Sequence, residues 1–348
     1  MSKLIVTAVG PATSVQDSGR YGQQRYGLTP SGAMDRFALA VANSLVGNPI
    51  TTAAIEIGPF GATFTAQEGP IRLALSGARR SIKLNEHEVP PDQSVTLGAG
   101  DRLILGTARE GVFSYLAIEH GVQGEPTFGS LSVNARAGLG SPYQRPLQAG
   151  DQLDTLPATA SPERAIILPP PPTGSIRVIL GPQDDEFGDA ARLFLDSAWK
   201  ISATSDRMGY RLEGPVIRHL HGHNIVSDGT VNGSIQVPGS GQPIVLMPDR
   251  GTSGGYPKIA TVISADLGRF AQTPPGREFR FQAIDLAEAR NEAIAFLDRL
   301  AKLPEQITHV ANFDLDIAVL QNANVAGVAI NAFDAGTWET GPSGEFQP

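Results

Sequence analysis

Ser227-Asp228-Gly229, then Gly233-Ser234-Ile235-Gln236-Val237-Pro238, then Asp249-Arg250-Gly251-Thr252-Ser253-Gly254-Gly255-Tyr256-Pro257 is the stretch on which the reading of the chain turns. The apolar runs Ser234 to Val237 and Ile244 to Met247 are bounded by glycine and proline, which predicts short strands. Seven glycines surround them, together with hydroxyls, Asp249, Arg250 and Tyr256. Glycine lets the backbone approach a ligand closely, so such turns can present N–H donors beside side-chain acids and bases. The plain alternative is a barrel corner that only reverses the chain.

Outward from that stretch the texture stays the same. With 348 residues, 39 Gly and 27 Pro, few aromatics and few long helical patterns, the chain is expected to be mainly β with a few helices (α+β), in two subdomains. Leu4 to Val9 reads as a strand ended by Gly10-Pro11. Ser31-Gly32-Ala33-Met34-Asp35 opens a helix capped by Ser31 or Gly32, with Met34, Phe37, Val41 and Leu45 on one face and Gly47-Asn48-Pro49 as its stop. Ala62 to Thr65, Ile71 to Ser76, Ser94 to Leu97, Leu103 to Gly106 and Tyr115 to Glu119 are further short strands, with Gly98-Ala99-Gly100-Asp101 and Gly150-Asp151 as hairpin punctuation. Pro169-Pro170-Pro171-Pro172 cannot donate to a sheet and marks a stiff linker.

The second half opens like the first, with Ile176 to Leu180 followed by Gly181-Pro182. Gln183 to Ser197 is expected to be helical, and Leu286, Ala289, Ala293, Phe296, Leu297 and Leu300 form a helical stripe stopped by Pro304. Beyond it, Ile307 to Ile330 is moderately apolar, and Gly336 to Pro348 suits a loose or docked tail. The predicted divisions are a β subdomain over 1–168, a β-barrel over 174–284 and a helical and irregular extension over 285–348, with a cleft lined from both β subdomains.

A formal charge of −8 gives no basic footprint for nucleic acid or an anionic membrane. No run approaches a membrane span and the N-terminus has no apolar signal core, so a cytoplasmic, soluble protein is expected. The absence of cysteine removes disulfides, thiolate nucleophiles and Cys-zinc sites. Arginine far outnumbers lysine, which favours anionic ligands.

Six motifs resemble one family in order: Val15-Gln16-Asp17-Ser18-Gly19-Arg20, Ser31-Gly32-Ala33-Met34-Asp35, Ala42-Asn43-Ser44-Leu45-Val46-Gly47-Asn48, Ser205-Asp206-Arg207-Met208-Gly209, Gly233 to Pro238, and Gly254-Gly255-Tyr256-Pro257. The family is that of the 5-oxoprolinase C subunit, also called KipA or allophanate hydrolase subunit 2. The resemblance spans about Lys3 to Phe281 and implies the first half of a urea carboxylase carboxyltransferase domain, built of cyclophilin-like β-barrels. It further implies an ATP-dependent opening of 5-oxoproline to glutamate, with the B-type (KipI) and A-type 5-oxoprolinase subunits as partners. Two other activities are open: a biotin-dependent carboxyltransferase half-site, and a regulatory binding protein that relieves a sensor-kinase inhibitor.

Such a lactam or amide substrate asks for a guanidinium clamp and oriented N–H donors. Arg207, Arg211 and Arg250 are candidates for the clamp, with Arg211 the more structural; Arg207 can instead pair with Asp206. Gly254 and Gly255 supply donors, and Gln236 and Ser205 stand beside them. Asp249, Tyr256 and Asp228 are candidates for proton transfer or water positioning, or turn caps. Gln16, Asp17, Arg20, Ser31 and Asn43 are the polar counterpart in the first half, where Asp17 and Arg20 can simply pair. No Gly-x-x-x-x-Gly-Lys loop and no biotinylation sequence occur, so ATP must use a site of another kind, shared with a partner, and biotin must come from another protein. His219, His221 and His223 alternate along an expected strand, yet no second ligand group stands at a motif distance, and no metal is expected.

Overall fold

Ser2–Val9 turns Leu4 and Val6 fully inward and leaves alternate positions partly exposed, as a strand with one wet face must. In the computed structural model, which describes residues 2–310, this strand lies between Ala62–Glu68 and Gln152–Thr155, antiparallel to both. Arg102–Leu105, Ile82–Leu84 and His87–Glu88 extend the sheet to six strands. A second sheet takes Ser14–Gln16, Ala54–Ile57, Glu110–Ile118, Ile71–Arg79 and Ser94–Leu97, in that spatial order. One apolar core, including Leu4, Phe64, Ile55, Leu73 and Leu116, is built from both.

Two turns differ from the expected hairpins. Ser94–Leu97 and Arg102–Leu105 belong to different sheets, so Gly98 to Asp101 carries the chain across the core edge, held by Gly98 N donating to Asp101 Oδ2 at 2.8 Å. Gly150-Asp151 delivers Gln152–Thr155 to the first strand of the chain; there Asp151 accepts from Arg145 at 2.7 and 2.8 Å.

Helix α1 is Arg36–Val46, and Asp35 itself caps it, accepting from Phe37 N (3.0 Å) and Ala38 N (3.2 Å). Ser31 and Gly32 are not the cap: both take positive φ, 54° and 89°, and shape the approach to the helix. Gly32 is required there, since a Cβ would lie 2.9 Å from Gly19 N. Every residue from Ala38 to Val46 is buried, because α1 packs on Ile71–Arg79 and Glu110–Ile118 and shares its core with the second half.

The second half is one eight-stranded sheet in the order Glu278–Phe279, Trp199–Ile201, Gly209–Glu213, Ile244–Leu246, Ser234–Gln236, Lys258–Val262, Ile176–Leu180 and Phe281–Ala283. Its two edge strands are separated in sequence by Arg280 alone, so the sheet curls into a nearly closed barrel. Phe194, Trp199 and Phe281 pack inside, with ring centroids 4.8 and 5.6 Å from Phe194. Residues 166–175 hold no strand or helix, and Pro169 to Pro172 is mostly exposed.

The expected helix over Gln183 to Ser197 is shorter: a 3-10 turn at Asp184–Glu186, then α2 at Asp189–Asp196, divided by Gly188 at φ 49°. Helix α3 is Leu267–Ala271, and α4 is Leu286–Ala301, followed by a 3-10 turn that contains Pro304. Of the expected stripe on α4, Ala289 and Leu300 are buried, whereas Leu286 and Leu297 face solvent. Thr308–His309 then pairs with Arg164–Ala165, and the described residues through His309 form one compact unit. The expectations for the tail from residue 311 onward fall outside the described residues.

Asp266, just before α3, accepts from Arg177 N (2.8 Å), Arg177 Nη2 (2.7 Å) and Arg269 Nη2 (2.7 Å). Burial pushes its carboxyl up, but the bonds from Arg177 and Arg269 outweigh this and hold it below the ordinary aspartate value. A depressed folded pKa contributes stability that is complete above about pH 4 and is lost as pH falls through the folded value. Melting curves from neutral to acid pH should therefore show a steeper acid loss in the parent than in Asp266→Asn; parallel curves would remove Asp266 as an acid-labile tie.

Candidate functional site

Asp228–Gly229 and Ser253–Gly254 form a two-residue antiparallel ribbon beside the barrel sheet, with Asp228 opposite Gly254. Ile225 N to Gly255 O (2.8 Å), Thr230 N to Thr252 O (3.1 Å) and Thr230 Oγ1 to Gly251 O (2.6 Å) extend it at both ends. The Gln236 amide lies directly over Gly254: a Cβ there would sit 2.3 Å from Gln236 Nε2 and would push the amide aside. Gln236 is buried, and this Nε2 has no hydrogen-bond partner among the described residues. A buried donor left in this way is costly unless a ligand or water takes it.

Lys258 stands opposite Gln236 in the sheet. Its side chain is 3% exposed, and Nζ donates to Asp228 Oδ2 at 2.8 Å, while Asp228 is 53% exposed. The bond from Lys258, helped by Gly229 N, holds the Asp228 carboxyl below its ordinary pKa, so an ionised carboxylate reaches solvent above a buried ammonium. Gln183 closes the group through Oε1, which accepts Lys258 N at 3.0 Å. The motif reading passed over Lys258; its one sequence signal is a charge directly after Gly254-Gly255-Tyr256-Pro257 and before an apolar strand.

Toward the first half the ribbon meets a buried charge network. Arg207 donates from Nε and Nη2 to Asp249 (2.8 and 3.2 Å), from Nη1 to Glu56, and from Nη2 to Gly32 O (2.7 Å). Glu56 Oε2 accepts from Tyr115 Oη (2.6 Å) and Met34 N (2.9 Å), and Asp35 N donates to Tyr115 Oη (2.7 Å). Burial opposes the Arg207 charge, but Glu56 and Asp249 raise its pKa above the ordinary value. Burial, then Glu56 and Asp35, push the Tyr115 hydroxyl well up. All three guanidinium nitrogens of Arg207 are thus bonded to protein across the two halves. It does not pair with Asp206, which instead accepts from Met208 N and Gly209 N.

Arg20 and Arg250 are also buried beside Asp249. Arg20 donates from Nη2 to Ser132 O, and its Nε and Nη1 have no partner among the described residues. Arg250 reaches Thr230 O at 3.4 Å. Burial lowers the pKa of both, against the opposing fields of Asp17 and Asp249 at Arg20 and of Tyr21 and Asp249 at Arg250.

The expected polar face of the first half turns inward. Gln16 Nε2 donates to Ser14 Oγ (2.9 Å) and Val133 O (3.0 Å), Asn43 Nδ2 to Thr52 O (2.7 Å), and Asn134 Nδ2 to Ser31 Oγ (3.2 Å). Asp17 collects Gly19 N, Leu131 N and the hydroxyls of Ser130 and Ser132 rather than Arg20. These side chains pin loops, since buried polar groups need internal partners. In the second half, Ser205 Oγ accepts Arg211 N at 3.0 Å.

The histidines do not share a strand face, because His219, His221 and His223 lie in irregular chain. His219 Nε2 is 2.9 Å from Val237 O and its ring lies on Phe187. Among the described residues no group of His, Asp or Glu is placed to hold a metal.

Tyr256 faces a cavity of about 680 Å³ walled by Ser202, Arg211, Leu212, Glu213, Gly214, Pro238, Ser240, Gln242, Pro243 and Ile244. Another, of about 410 Å³, lies between Val9 to Ala12 and Pro146 to Ala149. Each draws its lining from one half of the chain. The structure therefore brings Asp228, Lys258, Gln236 and Gly254 together, gathers Arg20, Arg207 and Arg250 around Asp249, and sets Tyr256 on the cavity wall.

Residues 26–283 match the family described as carboxyltransferase domain, subdomain A and B, and the chain belongs to that family. It is 36% identical over 303 residues to the 5-oxoprolinase C subunit of Escherichia coli (strain K12), covering 86% of this chain and 97% of that protein. It is 30% identical over 313 residues to urea amidolyase of Lachancea kluyveri, covering 82% of this chain but 17% of that protein. The crystal structure of the K. lactis urea amidolyase superposes with a TM-score of 0.80 at 29% identity, over 86% of this chain and 20% of that one. The mainly β, barrel-bearing architecture is thus that of carboxyltransferase domains in urea-processing enzymes, and the chain spans about a fifth of those larger proteins.

Proposed function

We propose that the chain is the C subunit of an ATP-dependent 5-oxoprolinase and supplies half of a carboxyltransferase-like site completed by B-type and A-type companions. The observation that carries this reading is the match over 97% of a protein named as the C subunit of 5-oxoprolinase. ATP enters as a substrate. Its terminal phosphoryl group, placed on the lactam oxygen, opens the ring carbon to water. The C–N bond then breaks with a proton delivered to nitrogen, and a second water releases phosphate from the resulting acyl phosphate.

Within this scheme Asp228, exposed and held ionised by Lys258, orients and deprotonates the attacking water. Tyr256 supplies the proton for the leaving nitrogen. The N–H groups at Gly254 and Gly255 and the unpartnered Gln236 Nε2 face developing negative charge. Asp249 acts through Arg207, which it positions, and Arg20 and Arg250 maintain a positive field behind the site.

The isolated chain is expected to show no 5-oxoproline-dependent ATP hydrolysis above background, and glutamate should form only when the companion subunits are added. Robust turnover by the chain alone would overturn the shared-site reading. The relation to urea amidolyase favours a second reading, a biotin-dependent carboxyl-transfer half-site. That reading predicts carboxyl transfer from carboxybiotin to urea or a related amide, with no glutamate from 5-oxoproline.

A further inference from the structure

Helix α4 carries one face that no described residue covers. Ala287, Arg290, Ile294, Leu297, Asp298 and Ala301 stand on it, all exposed, with Ile294 at 48% and Leu297 at 54%. They recur every three or four residues and so share one side of the helix, away from the side that buries Ala289 and Leu300. Their order is symmetric about Ile294. Arg290 lies four residues before it and Asp298 four after, while Ala287 and Ala301 lie seven residues out on either side. Glu292, on the flank, pairs with Arg177 at 2.9 Å, whereas among the described residues Arg290 and Asp298 pair with nothing. Within one chain they cannot meet, because eight residues of helix hold them about 12 Å apart along the axis. Nor does Arg290 have an acid one turn away on its own helix.

We propose that this face pairs with the same face of a second copy of the chain, the two α4 helices lying antiparallel about a two-fold axis at Ile294. Positions equidistant from Ile294 then oppose one another. Arg290 of each copy meets Asp298 of the other, which makes two ion pairs, and the two Ile294 side chains meet on the axis. Ala287 opposite Ala301 lets the helices approach closely at both ends. A wholly apolar partner would leave both charges without a counter-charge, and a partner charged with one sign would repel one of them. A second copy supplies the match at every position. One helix face is smaller than a stable interface requires, so a reversible dimer with a Kd on the order of 100 µM is expected. The pairing uses none of the groups assigned to the reaction above.

Sedimentation velocity on the full chain, from micromolar to millimolar concentration, tests it, and a monomer–dimer equilibrium is expected. Arg290→Asp and Asp298→Arg should each weaken the dimer about tenfold or more, since each sets like charges opposite one another twice. The two changes together should restore it. Both positions are exposed, so melting temperatures should match the parent. The chain has no cysteine, so Ile294→Cys places a single thiol per copy, on the axis. Mild oxidation should join these thiols into a covalent dimer. Ala287→Cys should not be joined, because its thiol would lie about 21 Å along the axis from its twin. The proposal is overturned by a monomer at every concentration, which leaves the face to solvent or to another occupant. A dimer indifferent to the charge changes, or equal crosslinking of Ile294→Cys and Ala287→Cys, overturns it as well.

Discussion

Arg207→Ala is expected to lower the melting temperature by roughly 10 °C, the largest stability loss of any single change at the site. The substitution leaves Glu56 at 0% side-chain exposure with its cation gone, and strips Asp249 of the partner that holds both its oxygens. Breaking a buried ion pair from one side costs about 3–5 kcal/mol, because the surviving charge has no water to turn to. Arg207→Lys should recover only part of this, since an ammonium cannot reach Glu56, Asp249 and Gly32 O in one plane. Pairing Arg207→Met with Glu56→Gln removes the fully buried pair and leaves only Asp249, whose side chain is 14% exposed, without its cation, so it should restore part of the stability lost in Arg207→Ala. Thermal melts of the four proteins decide the matter, and an Arg207→Ala melt within about 2 °C of the parent would show that the network is not a structural tie.

In the reconstituted complex, Asp228→Asn and Tyr256→Phe should each lower kcat by about 100-fold or more. Tyr256→Phe is near-isosteric at a partly exposed residue, so its melting temperature should stay close to the parent, whereas Asp228→Asn also leaves the buried Lys258 ammonium without its anion and should lower the melt as well. Asp249→Asn should behave differently, with its main effect in the melt, because its contacts are with Arg207. Kinetics and melts on the same preparations separate the roles. Unchanged kcat in both Asp228→Asn and Tyr256→Phe would remove the proton-transfer assignment.

The sequence was informative where one residue's environment decides its own type. The alternation of Leu4 and Val6, the left-handed Gly47 ending α1 and the Gly-Pro boundaries of the strands could be read directly, since each reflects local backbone geometry or one-sided burial. The charge network could not. Glu56 lies in Ala-Ile-Glu-Ile, a strand buried on both faces, and its partner is 151 residues away in the chain. No local pattern announces such a pair. Lys258 was hidden similarly, as a cation opening a mostly apolar strand, with its anion on a separate ribbon. Conversely, Gln16, Ser31 and Asn43 looked like a ligand face because polar residues in glycine-rich turns serve loop pinning and ligand binding equally well.

Helix α1 completes the barrel half's apolar core while belonging to the first half's sequence, and Arg207 makes the reciprocal crossing toward Glu56 and Gly32. A protease nick in the exposed run Pro169 to Pro172 would therefore sever the peptide without freeing its two products. Each would carry what the other lacks: one the naked face of α1 and the buried Glu56 carboxylate without its cation, the other an open core and a guanidinium that keeps Asp249 but has lost Glu56 and Gly32 O. They should remain associated and melt together, and each expressed alone should fail to fold until its complement is supplied.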